Sequence, residues 1–221
     1  MYPAGNLFIT APHGRLEAIL KEPRDGGRVR AVALVLHPHP LGGGTMHNKV
    51  VFRAASALND ACFTTLRINF RGVGQSTGEH DEGRGEAEDV RAALDYLTEQ
   101  YKDKPVTLAG FSFGSRVGIE VGIADARVHQ LISIGTPVDK YDFTFLKSCR
   151  KPILFVHGDH DEFGSVENLR ALVSELPGEA HARLEIIENA DHFFEGRLDE
   201  LKRAITEWMN ERTNESMNAE R

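Results

Sequence analysis

Ser112 stands in Gly110-Phe111-Ser112-Phe113-Gly114, between the apolar run Val106 to Ala109 and a segment of helical character. A strand that turns sharply into a helix holds its corner serine in strained backbone geometry, and the residues two places away must be small for the two elements to close. Gly110 and Gly114 meet that demand, so Ser112 is the candidate nucleophile. At the start of a helix the N–H of Phe113 is free to point at a developing oxyanion.

A serine hydroxyl is a weak nucleophile near neutral pH and needs a base, with a third group to hold that base in the right tautomer. His157-Gly158-Asp159-His160-Asp161-Glu162 follows the strand-like run Ile153 to Val156, and Asn189-Ala190-Asp191-His192-Phe193-Phe194 follows the last expected strand, Arg183 to Ile187. Functional groups gather at such carboxyl ends of strands. Among ten histidines, His192 alone occupies the last strand-to-helix loop and is the expected general base. For the acid, Asp161 and Asp159 compete. Asp161 is favoured because it lies further out along its loop, whereas Asp191 is disfavoured as the immediate neighbour of His192. His157 is expected to cap its strand end. A second oxyanion donor is expected from His37-Pro38-His39-Pro40-Leu41-Gly42-Gly43-Gly44. Proline has no N–H, which leaves His39 or Leu41.

These groups need a scaffold. The apolar runs Ala31 to Leu36, Val106 to Ala109, Leu131 to Ile134 and Ile153 to Val156, with a more broken one at Phe63 to Phe70, alternate with helical patterns. That alternation predicts an α/β fold with a mostly parallel sheet covered on both faces. Leu7 to Thr10 and Leu16 to Leu20 flank Pro12-His13-Gly14 and read as an antiparallel hairpin at the sheet edge. Ala87, Val90, Leu94, Leu97 and Tyr101 recur at helical spacing, as do Val166, Leu169, Val173 and Leu176, and then Leu198, Leu201, Ile205 and Trp208. These stripes are expected in the core. A single domain over 1–211 and a polar tail over 212–221 are expected.

The 221 residues carry 41% apolar and 27% charged side chains and a formal net charge of -7, without a long Lys/Arg run. Nucleic-acid phosphates would be repelled. Two cysteines, Cys62 and Cys149, give no disulfide framework. The N-terminal residues have neither a basic segment nor a long apolar one, and no run approaches the ~18 apolar residues of a membrane span. The expectation is a cytoplasmic protein acting on a small molecule, with no nucleic-acid or membrane partner.

His37-Pro38-His39-Pro40 with its glycines, Arg67-x-Asn69-Phe70-Arg71-Gly72-Val73-Gly74-x-Ser76, Gly85-Glu86 with Asp89, the Ser112 pentapeptide and Asp191-His192-Phe193-Phe194 together resemble the α/β-hydrolases. More narrowly they resemble small bacterial members without a lid. The likeness spans nearly the whole chain, and the chain order Ser112, Asp161, His192 suits that fold. The resemblance implies Ser112 as nucleophile, Asp161 as acid, His192 as base, and the N–H groups of Phe113 and His39 as oxyanion donors, which raises His39 over Leu41. Dienelactone hydrolases are similar in outline but use cysteine where this chain has Ser112. Arg71 and Asp89 are expected to form an ion pair tying the Gly72 to Ser76 turn to the following helix.

Gly72-x-Gly74 does not open a dinucleotide loop, since the next glycine, Gly78, is one place late; Lys49 lacks the ending of a phosphate loop. A zinc site from His37, His39, His157, Asp159 and His160 is disfavoured because two prolines restrict His39. No metal or other cofactor is expected. A catalytically silent binding module is disfavoured because the serine, acid and histidine are all present. The expected activity is hydrolysis of small carboxylic esters through an acyl-enzyme, with thioesters and small amides as alternatives on the same groups. Gly135 to Lys151 is too short for a helical cap, so an open cleft is expected, with Leu41, Phe145, Phe193 and Phe194, together with the Phe113 ring, as candidate lining residues.

Overall fold

Ala31–Leu36 is apolar at every position because it is covered from both sides: Val32, Leu34 and Leu36 join one core, Ala31, Ala33 and Val35 the other. In a computed structural model that describes residues 5–23 and 29–219, with backbone alone for 213–219, this strand, β3, lies inside an eight-stranded sheet. The others are β1 (Leu7–Ala11), β2 (Gly14–Lys21), β4 (Phe63–Ile68), β5 (Val106–Phe111), β6 (Val128–Ile134), β7 (Ile153–Gly158) and β8 (Arg183–Ile187). Their spatial order is β1-β2-β4-β3-β5-β6-β7-β8; β2 pairs antiparallel with both β1 and β4, and every other neighbouring pair is parallel. The expected hairpin and parallel sheet are both present.

Among the described residues, five α-helices cover the sheet: α1 (Lys49–Asp60), α2 (Arg84–Gln100), α3 (Phe113–Ala124), α4 (Val166–Ser174) and α5 (Leu198–Ala219). Val90, Leu94 and Leu97 of α2, Val117 and Val121 of α3 and Leu169 of α4 pack into one core; α1 and the Leu201, Ile205, Trp208 stripe of α5 pack into the other. The α4 helix ends before Leu176, which packs at its core's edge. The α5 helix continues through 212–219, the stretch read from sequence as a tail; 220–221 lie outside the described residues. No helix among the described residues is long and apolar enough to cross a membrane.

α1 was not legible as a periodic stripe, because the middle of its buried face is alanine: Ala54, Ala55 and Ala57 stand between Val50, Val51 and Leu58, with Asn59 buried beside them. Its available signal was Asn48, whose side chain accepts the Val50 N–H at 2.9 Å as an N-cap.

The chain leaves β3 toward β4 on one side and returns through β5 on the other, so the loops after β3 and β5 open side by side. Ligands of open α/β sheets bind at such a reversal of strand order. Register completes the alignment: Leu36 pairs with Gly110, Phe111 with Ile134, Ile134 with Val156 and Gly158 with Ile187, so the carboxyl ends of five strands reach one edge. The connection from β6 to β7 holds only a short 3-10 turn, Thr144–Ser148, and no helical cap.

Candidate active site

Ser112 has φ 54° and ψ −119°, a conformation that L-residues seldom adopt and that the surrounding contacts must impose. Its N–H is held by the Ile134 carbonyl at 2.9 Å, and its own carbonyl accepts Ser115 N–H at 2.9 Å and Ser115 Oγ at 2.7 Å. A Cβ on Gly110 would stand 2.3 Å from the Gly114 carbonyl oxygen, and one on Gly114 would stand 2.5 Å from that of His37. Both glycines are therefore demanded by backbone closeness, as the pentapeptide suggested. Phe113 opens α3, so its N–H has no carbonyl one turn back.

His192 lies between the serine and one carboxylate: Nε2 is 2.9 Å from Ser112 Oγ, and Nδ1 is 2.7 Å from Asp161 Oδ2. A carboxylate only accepts, so Nδ1 carries the proton and Nε2 is left to accept from the serine hydroxyl. The ring is 2% exposed and Asp161 is 8% exposed, which strengthens both contacts against water. Phe111, Phe163 and Phe193 surround the imidazole at centroid distances of 5.0, 4.5 and 5.2 Å. Gly135, at φ 52°, makes room for it: a Cβ there would meet Phe111 at 2.9 Å and the His192 ring at 3.2 Å.

The three competing carboxylates are told apart by their partners. Asp161 accepts the Phe163 N–H at 2.8 Å through the oxygen that does not face His192. Asp159 reaches the Ala190 N–H at 3.2 Å and so braces the neighbouring loop. Asp191 accepts the N–H groups of Phe193 and Glu195, closing the turn that carries His192.

The loop after β3 is built around His37. This fully buried imidazole donates from Nδ1 to the Pro38 carbonyl at 2.6 Å and accepts the Phe70 N–H at Nε2, 3.0 Å away. Burial holds it neutral, with its pKa pushed down to about 4. Arg67 and Asn69 clamp the next peptide group: Arg67 donates to the Met46 carbonyl and Asn69 Oδ1 accepts the Met46 N–H, each at 2.8 Å. From sequence all three stand only within motifs, and His37 also in the disfavoured zinc site, with none of them assigned this supporting role. The His39 N–H donates to no group among the described residues, while its Nδ1 accepts the Leu41 N–H at 3.2 Å. Leu41 N–H is thus occupied, a physical reason to prefer His39 of the two.

The His39 ring packs 4.9 Å from the Phe113 ring, and His80 touches both, at 4.9 and 5.6 Å. His80 is backed by the buried Glu86, whose Oε1 is 2.7 Å from Nδ1. Burial, together with the neighbouring His80, pushes the His39 pKa down.

Ser112 and His192 open into a cleft of about 470 Å³, lined also by His39, Gly42 to Gly44, Asn48, Pro137, Lys140, Tyr141, Phe163 and Phe193. Of the expected lining residues Phe193 is present, 40% exposed. Phe194 is not: adjacent side chains in this turn diverge, and it is fully buried in the core beneath α5. Phe145 is absent too, because it packs on Phe143 and under the Arg116 guanidinium, 4.6 Å away. The Phe113 ring packs inward, and Leu41 stands 75% exposed on its 3-10 turn. Pro137, Lys140, Tyr141 and Phe163 were missed because they come from loops whose path the sequence does not reveal. His157, as expected, is structural, holding the Gly164 carbonyl at 2.7 Å. The Arg71–Asp89 pair also forms, with the Arg71 N–H, Nε and Nη2 all donating to Asp89. His37 and His157 each already serve a backbone carbonyl, and no group of three metal-ligating side chains occurs among the described residues.

A mostly parallel sheet with a serine on its strand-to-helix corner, beside a buried imidazole, defines a hydrolase of the α/β class. Residues 31–218 match the family described as alpha/beta hydrolase domain, and the chain belongs to it. It is similar to an uncharacterized protein of Rickettsia prowazekii, 38% identical over 92% of this chain and 87% of that one. Among solved structures it resembles an alpha-beta serine hydrolase homologue from Coxiella burnetii, with 37% identity, TM-score 0.85, and 94% and 99% of the two chains covered. A serine hydrolase without lid from Xanthomonas campestris is 33% identical, with TM-score 0.84 and 94% of each chain covered.

Proposed function

We propose that this hydrolase cleaves small carboxylic esters through an acyl-enzyme formed on Ser112. The observation that carries the reading is His192, hydrogen-bonded at 2.9 Å to the serine hydroxyl and at 2.7 Å to Asp161. As Ser112 Oγ attacks the ester carbonyl carbon, Nε2 of His192 takes the hydroxyl proton, and Asp161 stabilises the imidazolium. The oxyanion accepts from the N–H groups of Phe113 and His39. Collapse expels the alkoxide, which takes the proton from His192 and leaves as the alcohol. Water then gives its proton to His192 and attacks the acyl carbon, and Ser112 departs with that proton as the acid is released.

Three aromatic rings around His192 favour its transient positive charge. A cleft of about 470 Å³, without a helical cap above it, suits short acyl groups better than lipid chains.

The test pairs steady-state hydrolysis of 4-nitrophenyl esters from acetate to octanoate with fluorophosphonate labelling, for wild type and Ser112→Ala. Hydrolysis is expected to be strongest on short chains, and the variant is expected to lose both turnover and label. A folded Ser112→Ala protein labelled as fast as wild type would overturn the assignment, and thioester or amide members cleaved in preference would move the substrate class.

A further inference from the structure

Among the described residues that line the cleft, Lys140 is the only side chain with a full, permanent charge. Its ammonium sits 5.7 Å from the centroid of the Phe163 ring, and that ring lies 4.5 Å from His192. The cation is thus one aromatic ring removed from the base.

The charges around it have been taken up elsewhere. Asp139, its neighbour in sequence, turns to α4, accepting the Ser165 N–H at 2.7 Å and Asn168 Nδ2 at 2.6 Å. Glu195, two residues beyond the cleft-lining Phe193, pairs with Lys49, which follows the cleft-lining Asn48. Glu82 lies in the adjoining groove between α2 and α3, on the far side of Tyr141, with Arg84, Arg91 and Arg116. No carboxylate among the described residues pairs with Lys140. The second lysine near the mouth is neutralised, and this one is not. In a chain of net charge -7, an unpaired cation in a mainly apolar cleft favours a ligand that brings the missing anion.

We infer that the preferred substrates are esters carrying an anionic group, a carboxylate in the first instance, a few atoms from the scissile carbonyl, and that Lys140 selects them. This rests on the esterase reading and names its substrate class. An exposed ion pair contributes only a few-fold, and the apolar walls raise that by excluding water. A gain of about threefold to tenfold in kcat/KM over an uncharged ester of equal length follows.

The experiment measures kcat/KM for two matched pairs: 4-nitrophenyl hemiadipate against 4-nitrophenyl hexanoate, and 4-acetoxybenzoate against its methyl ester. The first pair puts the carboxylate on the acyl side, the second on the leaving group. In wild type the charged member of at least one pair is expected to be favoured. That ratio is expected to fall toward one in Lys140→Ala, to invert in Lys140→Glu, and to shrink in 0.5 M salt. Ratios unchanged by either substitution in both pairs would overturn the role of Lys140. If no ester turns over, the esterase reading itself fails, and labelling rates of Ser112 by anionic and neutral fluorophosphonates then decide Lys140 separately. Equal effects of Lys140→Glu on both probes would remove it.

Discussion

Three aspartates stand near His192, and their hydrogen bonds assign each a different task. Asp161 faces Nδ1 at 2.7 Å, Asp159 braces Ala190 and Asp191 closes its own turn. Asp161→Asn presents an amide that can donate to the ring and so favours the wrong imidazole tautomer; in serine proteases such a change lowers kcat about 10⁴-fold. Asp161→Asn is therefore expected to lose at least a thousandfold in kcat, while Asp159→Asn, which keeps an acceptor for Ala190, stays within about threefold. Steady-state kinetics of the two variants on one short ester separates them. The sequence left Asp161 and Asp159 in competition and favoured Asp161 by its distance along the loop; the structure places Asp161, and not Asp159, on the His192 ring. What the sequence could not supply was the direction in which each side chain turns.

At the scale of elements, the proposed oxyanion donors come from separate segments, the loop after β3 and the first residue of α3. Their side chains pack ring to ring at 4.9 Å and are wedged from the side by His80, which touches both rings and is backed by Glu86 at the start of α2. Removing that wedge lets the two segments shift relative to each other, and loss of one oxyanion donor costs about 10²–10³ in kcat. A partial displacement in His80→Ala is expected to lower kcat about tenfold with KM within twofold, and His80→Phe, which keeps a ring, is expected to restore most of it. Equal losses in both variants would point to the imidazole's polarity instead of its shape. None of this was legible along the chain, because His39, His80 and Phe113 lie tens of residues apart and no periodicity links them. The glycines were legible, since Gly110 and Gly114 flank the serine at fixed spacing.

For the molecule as a whole, stability is tied to pH through His37, fully buried between the ends of β3 and β4. Its pKa is pushed down to about 4 from 6.5 by burial. The unfolded chain takes up this proton near 6.5 and the folded chain does not, so the stability is complete above 6.5 and declines as pH falls toward 4. The full loss amounts to about 3 kcal/mol at roughly 1.4 kcal/mol per unit. Urea midpoints of wild type and His37→Gln, measured from pH 7.5 to 4.5, are expected to converge as pH falls. Parallel curves would show that another group carries the acid sensitivity.

The strands, the covering of both sheet faces, the strained corner at Ser112 and the singling out of His192 follow from composition, periodicity and short motifs, because each is a local property of the chain. An apolar run bounded by loops must be buried, and a serine between two glycines after a strand has few other conformations. α1 escaped notice because alanine marks a buried face only weakly. The cleft wall, the divergence of Phe193 and Phe194, the clamp of Arg67 and Asn69 on Met46, and the unpaired charge of Lys140 were decided by tertiary structure. They depend on which loops meet where the strand order reverses, and on which way each side chain turns once they have met.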